Sequence, residues 1–202
     1  AVAIGSLSKA TGADAVSIGD TNIASAQSAV AIGGVSTASQ SYAIALGYQA
    51  NSVIIGKYTY ASGQFAALGD AQNGVFVLRC ATTDATATVL TTNNSASGTT
   101  NQIIPPNNSA YAFTGTVVAR QQASGGTASA AWKIEGLIRR EGSAGTTTLV
   151  ASTVTAIDNT PGWTLALSAD TTNGGLKIEA TGAAATNIRW VAQVTTAEVT
   201  YA

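Results

Sequence analysis

The sequence predicts an all-β protein in two parts: an N-terminal parallel β-roll of 14-residue repeats, followed by an antiparallel β-sandwich of jelly-roll type. Three observations predict it. A short pattern of alternating small and aliphatic residues, closed by glycine, recurs every 14 residues near the N-terminus. Beyond it, alternating runs are bounded by clusters of Gly, Asn, Asp, Ser and Pro, the punctuation of short strands. No segment places apolar residues at helical spacing.

The repeat reads Ala1-Val2-Ala3-Ile4-Gly5, Ala15-Val16-Ser17-Ile18-Gly19, Ala29-Val30-Ala31-Ile32-Gly33 and Ala43-Ile44-Ala45-Leu46-Gly47. Two looser copies follow, Ser52-Val53-Ile54-Ile55-Gly56 and Phe65-Ala66-Ala67-Leu68-Gly69. Ala10, Ala24, Ala38 and Ala61 each stand five places after their glycine. Strict alternation over four residues indicates a strand. Gly5, Gly19, Gly33, Gly47, Gly56 and Gly69 are the expected turn residues, since a turn with positive φ suits glycine. A unit of this length holds two short strands and two corners, one coil of a thin roll. The early fifth glycine, Gly56, predicts that the roll narrows or ends near Tyr48, Tyr58 and Tyr60.

Each repeat strand carries two uncharged rows. Val2/Ile4, Val16/Ile18, Val30/Ile32 and Ile44/Leu46 form a large-aliphatic row; Ala1/Ala3, Ala15/Ser17, Ala29/Ala31 and Ala43/Ala45 form a small one. A strand with one face in water alternates apolar with polar, so both rows call for cover. The expectation is that the large row fills the coil and the small row meets another chain. Cover by the C-terminal half is the alternative.

Residues 1–69 are expected to form the roll and 70–202 the sandwich. Strands are predicted over Val75–Ala81, Tyr111–Gln121, Trp132–Arg140, Thr147–Ile157, Trp163–Ala169, Leu176–Ala180 and Ile188–Thr195. Their inward rows are Phe76/Leu78/Cys80, Tyr111/Phe113/Val117/Ala119, Trp132/Ile134/Ile138, Trp163/Leu165/Leu167, Leu176/Ile178 and Ile188/Trp190/Ala192/Val194. The three tryptophans read as core anchors and Cys80 as a small buried hydrophobe. Pro105-Pro106 predicts a corner, with a cis bond as one option.

The repeat units resemble the head repeats of trimeric autotransporter adhesins, which also occur in fibre proteins of tailed bacteriophages. The resemblance covers residues 1–69. The stretches "GVFVLRCATTDATATVL", "IIPPNNSAYAFTGTVVARQ" and "IRWVAQVTTAEV" are similar to C-terminal domains of phage tail fibres. The family implies three chains wound into a left-handed roll. It also implies a place on the virion, facing outward, with partners among other copies of the chain, other virion or tail proteins, and a host-surface glycan or protein. The implied function is a structural phage tail fibre or virion appendage. The alternatives are the passenger part of a bacterial trimeric adhesin, a capsid fibre or decoration protein, and a glycan depolymerase. With no initiator methionine, the chain is expected to be part of something longer.

Composition sets limits on chemistry. The 202 residues include 40 alanines, 29 threonines and 21 glycines, with only 9% charged residues and a net charge of −1. That balance provides no footprint for nucleic acid, and no apolar run reaches the ~18 to 20 residues of a membrane helix. With no histidine and one cysteine, zinc sites of His and Cys, His-based nucleophile pairs and an internal disulfide are excluded. Most of the ten carboxylates fall in turns or on outward faces, and Gly56-Lys57 is followed by Tyr58 rather than by the Ser/Thr of a phosphate loop. The expectation is a non-enzymatic chain with no catalytic residue, no metal and no cofactor. The candidate receptor-binding residues are Asn93, Asn94, Asn107, Asn108, Asp158 and Asn159, whose amides and carboxylates suit sugar hydroxyls.

Overall fold

The computed structural model describes residues 1–201, which form seventeen strands and two single 3-10 turns, without an α-helix. Two compact units are present: Ala1–Phe76 with the segment from Thr196 onward, and Val77–Thr195.

In the first unit, the repeat folds as a parallel β-solenoid. Its strands are β1 (Val2–Ile4), β2 (Lys9–Ala10), β3 (Val16–Asp20), β4 (Ile23–Ala24), β5 (Val30–Gly34), β6 (Thr37–Ala38), β7 (Ile44–Tyr48), β8 (Asn51–Ser52) and β9 (Tyr58–Ser62). The odd-numbered strands stack into one ladder and the even-numbered into another. Val2, Val16, Val30, Ile44 and Tyr58 lie in one register column, a step of one repeat each time. The fifth long strand is therefore Tyr58–Ser62. Ser52-Val53-Ile54-Ile55-Gly56 instead supplies the end of β8 and a turn, and Phe65–Gly69 adds no strand. The coil length does not shorten at Gly56, because Ala61 takes the place of the repeat glycine opposite Gly47.

The two rows are arranged opposite to the sequence expectation. Ala15, Ser17, Ala29, Ala31, Ala43 and Ala45 are fully buried inside the coil, joined by Ala24, Ala38 and Ala50 from the short ladder. The large row faces outward: Val2, Ile4 and Ile32 are 49%, 56% and 37% exposed. The reason is width. A coil that turns every seven residues brings its two ladders so close that methyl groups and hydroxyls fill the space between them.

The corners account for that spacing. Leu7, Thr21, Val35 and Gln49 at one corner, and Asp14, Ser28 and Tyr42 at the other, have φ between 52° and 66°; Gly56 continues the second series at 67°. A left-handed conformation costs a non-glycine residue roughly 1–2 kcal/mol. Cross-coil hydrogen bonds hold it here. Thr21, Val35 and Gln49 donate their N–H groups to the carbonyls of Ser6, Asp20 and Gly34, and Ser28, Tyr42 and Gly56 donate to Ala13, Gln27 and Ser41. The repeat glycines have another task. A Cβ on Gly19 or Gly33 would run into the carbonyl oxygen of the glycine one coil further on.

A polar file stitches the coils from within. Ser8 Oγ donates to Gly19 O and Asn22 Nδ2 to Gly33 O, each at 2.8 Å, and Ser36 Oγ donates to Gly47 O at 3.3 Å. Asn22 Oδ1 in turn accepts the Ser36 N–H at 2.8 Å. Each of these three side chains finds a partner in the next coil. After the last coil, β10 (Ala71–Thr82) runs antiparallel to β9, with Val75 opposite Tyr58.

The second unit is a β-sandwich. It adds β11 (Thr88–Val89), β12 (Ser109–Gln121), β13 (Ser129–Arg140), β14 (Thr148–Asp158), β15 (Thr164–Asp170), β16 (Gly175–Thr181) and β17 (Ile188–Thr200). Within it, one sheet has the order β10-β17-β12-β13-β14 and the other β11-β16-β15. The hairpin β12–β13 pairs Val117 with Trp132 and Tyr111 with Ile138. Between the sheets, Trp190 stacks on Trp132 at 5.5 Å and meets Trp163 at 5.7 Å. The indole N–H of Trp190 donates to Thr82 Oγ1 at 3.0 Å, so its one polar atom is satisfied. Burial raises the Cys80 thiol to about 12. No cis peptide bond occurs among the described residues, so the Pro105-Pro106 corner is made with trans bonds.

Candidate functional site

The predicted glycan-facing residues fall into three separate turns. Asn93 Oδ1 accepts from the Ser95 N–H and from Asn101 Nδ2, and Asn94 occupies the left-handed region. Asn107 Nδ2 donates to Gly142 O at 3.0 Å, and the Asn108 N–H to Glu141 O. Asp158 Oδ1 accepts from the N–H and hydroxyl of Thr160, and Asn159 Nδ2 donates to Trp163 O at 2.7 Å. The side chains of Asn93, Asp158 and Asn159 thus close their own turns, and that of Asn107 ties its turn to Gly142. Gly5, Gly19, Gly33, Gly47, Gly56 and Gly69, expected at turns, all have positive φ, but Gly19, Gly33 and Gly47 lie within β3, β5 and β7.

Sequence reading passed over the main cleft of the second unit, about 700 Å³, lined by Ala81–Thr83, Arg120–Ala123 and Asn187–Arg189. Its wall is stiffened by a reciprocal clamp: the Gln122 N–H donates to Asn187 O, and Asn187 Nδ2 donates to Gln122 Oε1, each at 2.8 Å. Arg120, whose guanidinium reaches the carbonyl of Thr127, and the exposed Arg189 bring two positive charges. No carboxylate lines the cleft. Arg120 and Arg189 stand far apart in the sequence, so only the alignment of β12 beside β17 reveals their meeting.

A second constellation lies inside the first unit. The Lys57 ammonium donates to Glu198 Oε2 at 2.7 Å, with the two side chains 2% and 1% exposed. Gln72 Nε2 donates to the same oxygen at 2.8 Å. Glu198 Oε1 accepts from Thr196 Oγ1 at 2.6 Å, and the Phe76 ring lies 5.3 Å from Lys57 Nζ. Burial pulls the Lys57 amine below its ordinary value, against the charge and hydrogen bond of Glu198, which push it up. Gly74 makes room: a Cβ there would strike Lys57 Cε and Glu198 Oε1. The only signal in the sequence was a lysine in a repeat otherwise nearly free of charge.

The carboxylates held below their ordinary range, Asp70, Asp84 and Asp170, are turn-makers. Asp70 accepts the N–H groups of Ala67, Ala66 and Phe65, which hold its carboxyl below the usual range. Asp170 is pushed up by burial, but bonds from Asn173 and Thr172 outweigh that and keep it low. No cluster of three or more His, Cys, Asp or Glu side chains able to hold a metal occurs among the described residues.

No protein-family model and no curated protein matches the chain, so the resemblance to head repeats of trimeric autotransporter adhesins gains no support. Among solved structures, the chain is similar to the tailspike protein gp49 of Acinetobacter baumannii bacteriophage Fri1, a capsular polysaccharide depolymerase. Identity is 10% and TM-score 0.31, over 89% of this chain and 37% of that one. It is also similar to the tailspike of Acinetobacter baumannii phage AM24, at 9% identity and TM-score 0.30 over 85% and 34% of the two chains. A third is the tailspike of Acinetobacter phage vB_ApiP_P1, at 15% identity and TM-score 0.25 over 91% and 40%. The chain thus spans well under half the length of each. The expectation of a non-enzymatic chain is not upheld: the first of these proteins is a capsular polysaccharide depolymerase, and the expectation is withdrawn on that finding.

Proposed function

We propose that the chain is a section of a phage tail appendage, a fibre or tailspike, that stands as a homotrimer on the virion, facing outward, and contributes to holding the host surface. The observation that carries this reading is the outward aliphatic row. Val2/Ile4, Val16/Ile18, Val30/Ile32 and Ile44/Leu46 form a continuous stripe up one face of the solenoid, without a charge along it. A contiguous apolar surface of this kind marks an association site, and a stripe that repeats with the coil is matched in length by the same stripe on another copy. The number three comes from the resemblance of the repeats to trimeric heads.

The cleft between β12 and β17 supports contact with a glycan of the host surface. Two arginine forks and the amides of Gln121 and Gln122 suit a saccharide that carries carboxylate groups. Three such sites on one trimer would gain about 10²- to 10⁴-fold in avidity on a repeating polymer. Other tail proteins would be the neighbours along the appendage.

Size-exclusion chromatography with light scattering tests the assembly. The expected mass is close to three times the 20.0 kDa of the chain; a stable monomer in dilute buffer would overturn the reading. Retention on an immobilised acidic polysaccharide but not on a neutral one, lost in Arg120→Ala/Arg189→Ala, tests the attachment role.

A further inference from the structure

Lys57, Gln72 and Glu198 have an arrangement that an ordinary buried ion pair does not need. The amine of Lys57 and the amide nitrogen of Gln72 both donate to one oxygen, Glu198 Oε2, at 2.7 and 2.8 Å. The carbonyl of that same amide, Gln72 Oε1, accepts the backbone N–H of Asn51 at 2.9 Å. Glu198 is fixed from its other side by Thr196. A nucleophile, a carboxylate in contact with both the nucleophile and the group that would leave, and a donor on the carbonyl oxygen are the parts of an acyl-transfer site.

We propose that Lys57 and Gln72 become joined by an isopeptide bond within the first unit, with Glu198 carrying the protons. One Nζ proton passes to Glu198 Oε2 and frees the lone pair. Nζ adds to Gln72 Cδ, and the charge that gathers on Oε1 is met by the Asn51 N–H. A second Nζ proton reaches Nε2 by way of the same carboxyl. The Cδ–Nε2 bond then breaks and ammonia leaves, taking the first proton with it as ammonium. Glu198 ends as it began, a carboxylate. No oxidant, metal or second substrate enters.

Each partner's surroundings favour its role. Burial lowers the cost of the neutral amine, the form that attacks. Gln72 is the electrophile rather than Glu198, because a carboxylate repels the lone pair and its oxygen is a poor leaving group, whereas a protonated amide nitrogen departs readily. Positioning supplies the rest: both reacting side chains are already held on one oxygen atom, so little freedom is lost on reaction. The bond would tie the start of β9 to β10 and close residues 57–72 into a covalent loop. A chain with one cysteine has no disulfide with which to do this.

Intact-mass spectrometry of the denatured full chain reads the outcome directly. The expected mass is lower than that of the sequence by one ammonia, with a branched proteolytic peptide joining Lys57 to Gln72. A full sequence mass overturns the proposal. So does a loss of ammonia that maps to Asn73-Gly74 or Asn173-Gly174, where ring closure of asparagine would produce the same shift. Gln72→Leu, which keeps the Lys57–Glu198 pair and therefore the fold, is expected at full mass. Glu198→Gln, checked for folding by circular dichroism, is expected to lose the link; a link retained in the folded variant would overturn the role of Glu198.

Discussion

The solenoid and the sandwich solve the same problem with opposite distributions of side-chain size. In the sandwich, Trp132, Trp163 and Trp190 meet between two sheets, with Phe113, Ile134, Ile178 and Ile188 around them. In the solenoid the apolar core cluster is alanine, and most of the valines, isoleucines and leucines point outward, Ile54 being buried. Stacked sheets stand about 10 Å apart and demand large residues to fill the gap. A coil with corners every seven residues admits only small ones. Core size therefore follows from the backbone's turning radius, and apolar residues displaced to the outside remain on the surface.

Four changes would break or sharpen this contrast. The largest effect is expected from Trp190→Ala, which empties the centre of the sandwich. It should cost about 3–5 kcal/mol, read as a lower denaturation midpoint of the Val77–Thr195 unit. The reverse experiment, Ala31→Leu, fills a solenoid interior that has no space; about 1–3 kcal/mol of destabilisation is expected, while Ile32→Leu, on the outer face, should cost under about 1.5 kcal/mol. Val35→Asn relieves a β-branched residue at a left-handed corner. It should stabilise by about 1 kcal/mol, seen as a higher midpoint for the solenoid.

The smallest effect is expected from acid. Asp70 is held below the usual carboxylate range by the N–H groups of Ala67, Ala66 and Phe65. A folded-state value below the unfolded one means that the stabilisation is complete above about pH 4 to 5. It fades as the pH falls through the folded value. Asp70→Asn should therefore lower the midpoint at neutral pH and narrow the difference from the wild type at acid pH; an equal loss at both would contradict the assignment.

Much of the backbone was readable from the residues. The period placed β1, β3, β5 and β7, and alternation placed the inward rows of β12, β13, β16 and β17, because each property is local to a strand. Three features were not readable. Which row of the repeat lies inside depends on the distance between ladders, and alternation is the same either way. The fifth coil was obscured because Tyr58-Thr59-Tyr60-Ala61 keeps the register without keeping the residue types. The return of Thr196 and Glu198 to the first unit joins residues 141 places apart in the Lys57–Glu198 pair, beyond any spacing rule. The candidate cleft was hidden for a similar reason, since Arg120 and Arg189 are brought together by the neighbouring strands β12 and β17.

The proposed assembly requires that other copies of the chain cover the outward aliphatic row. Thiol labelling of Ile32→Cys, alone and combined with Ile18→Asp, tests this most directly; Cys80, buried and raised to about 12, stays silent at neutral pH. Slow labelling of Ile32→Cys in the assembled protein, becoming fast once the Ile18→Asp charge separates the copies, is the predicted result. Equal, rapid labelling in both proteins would contradict it.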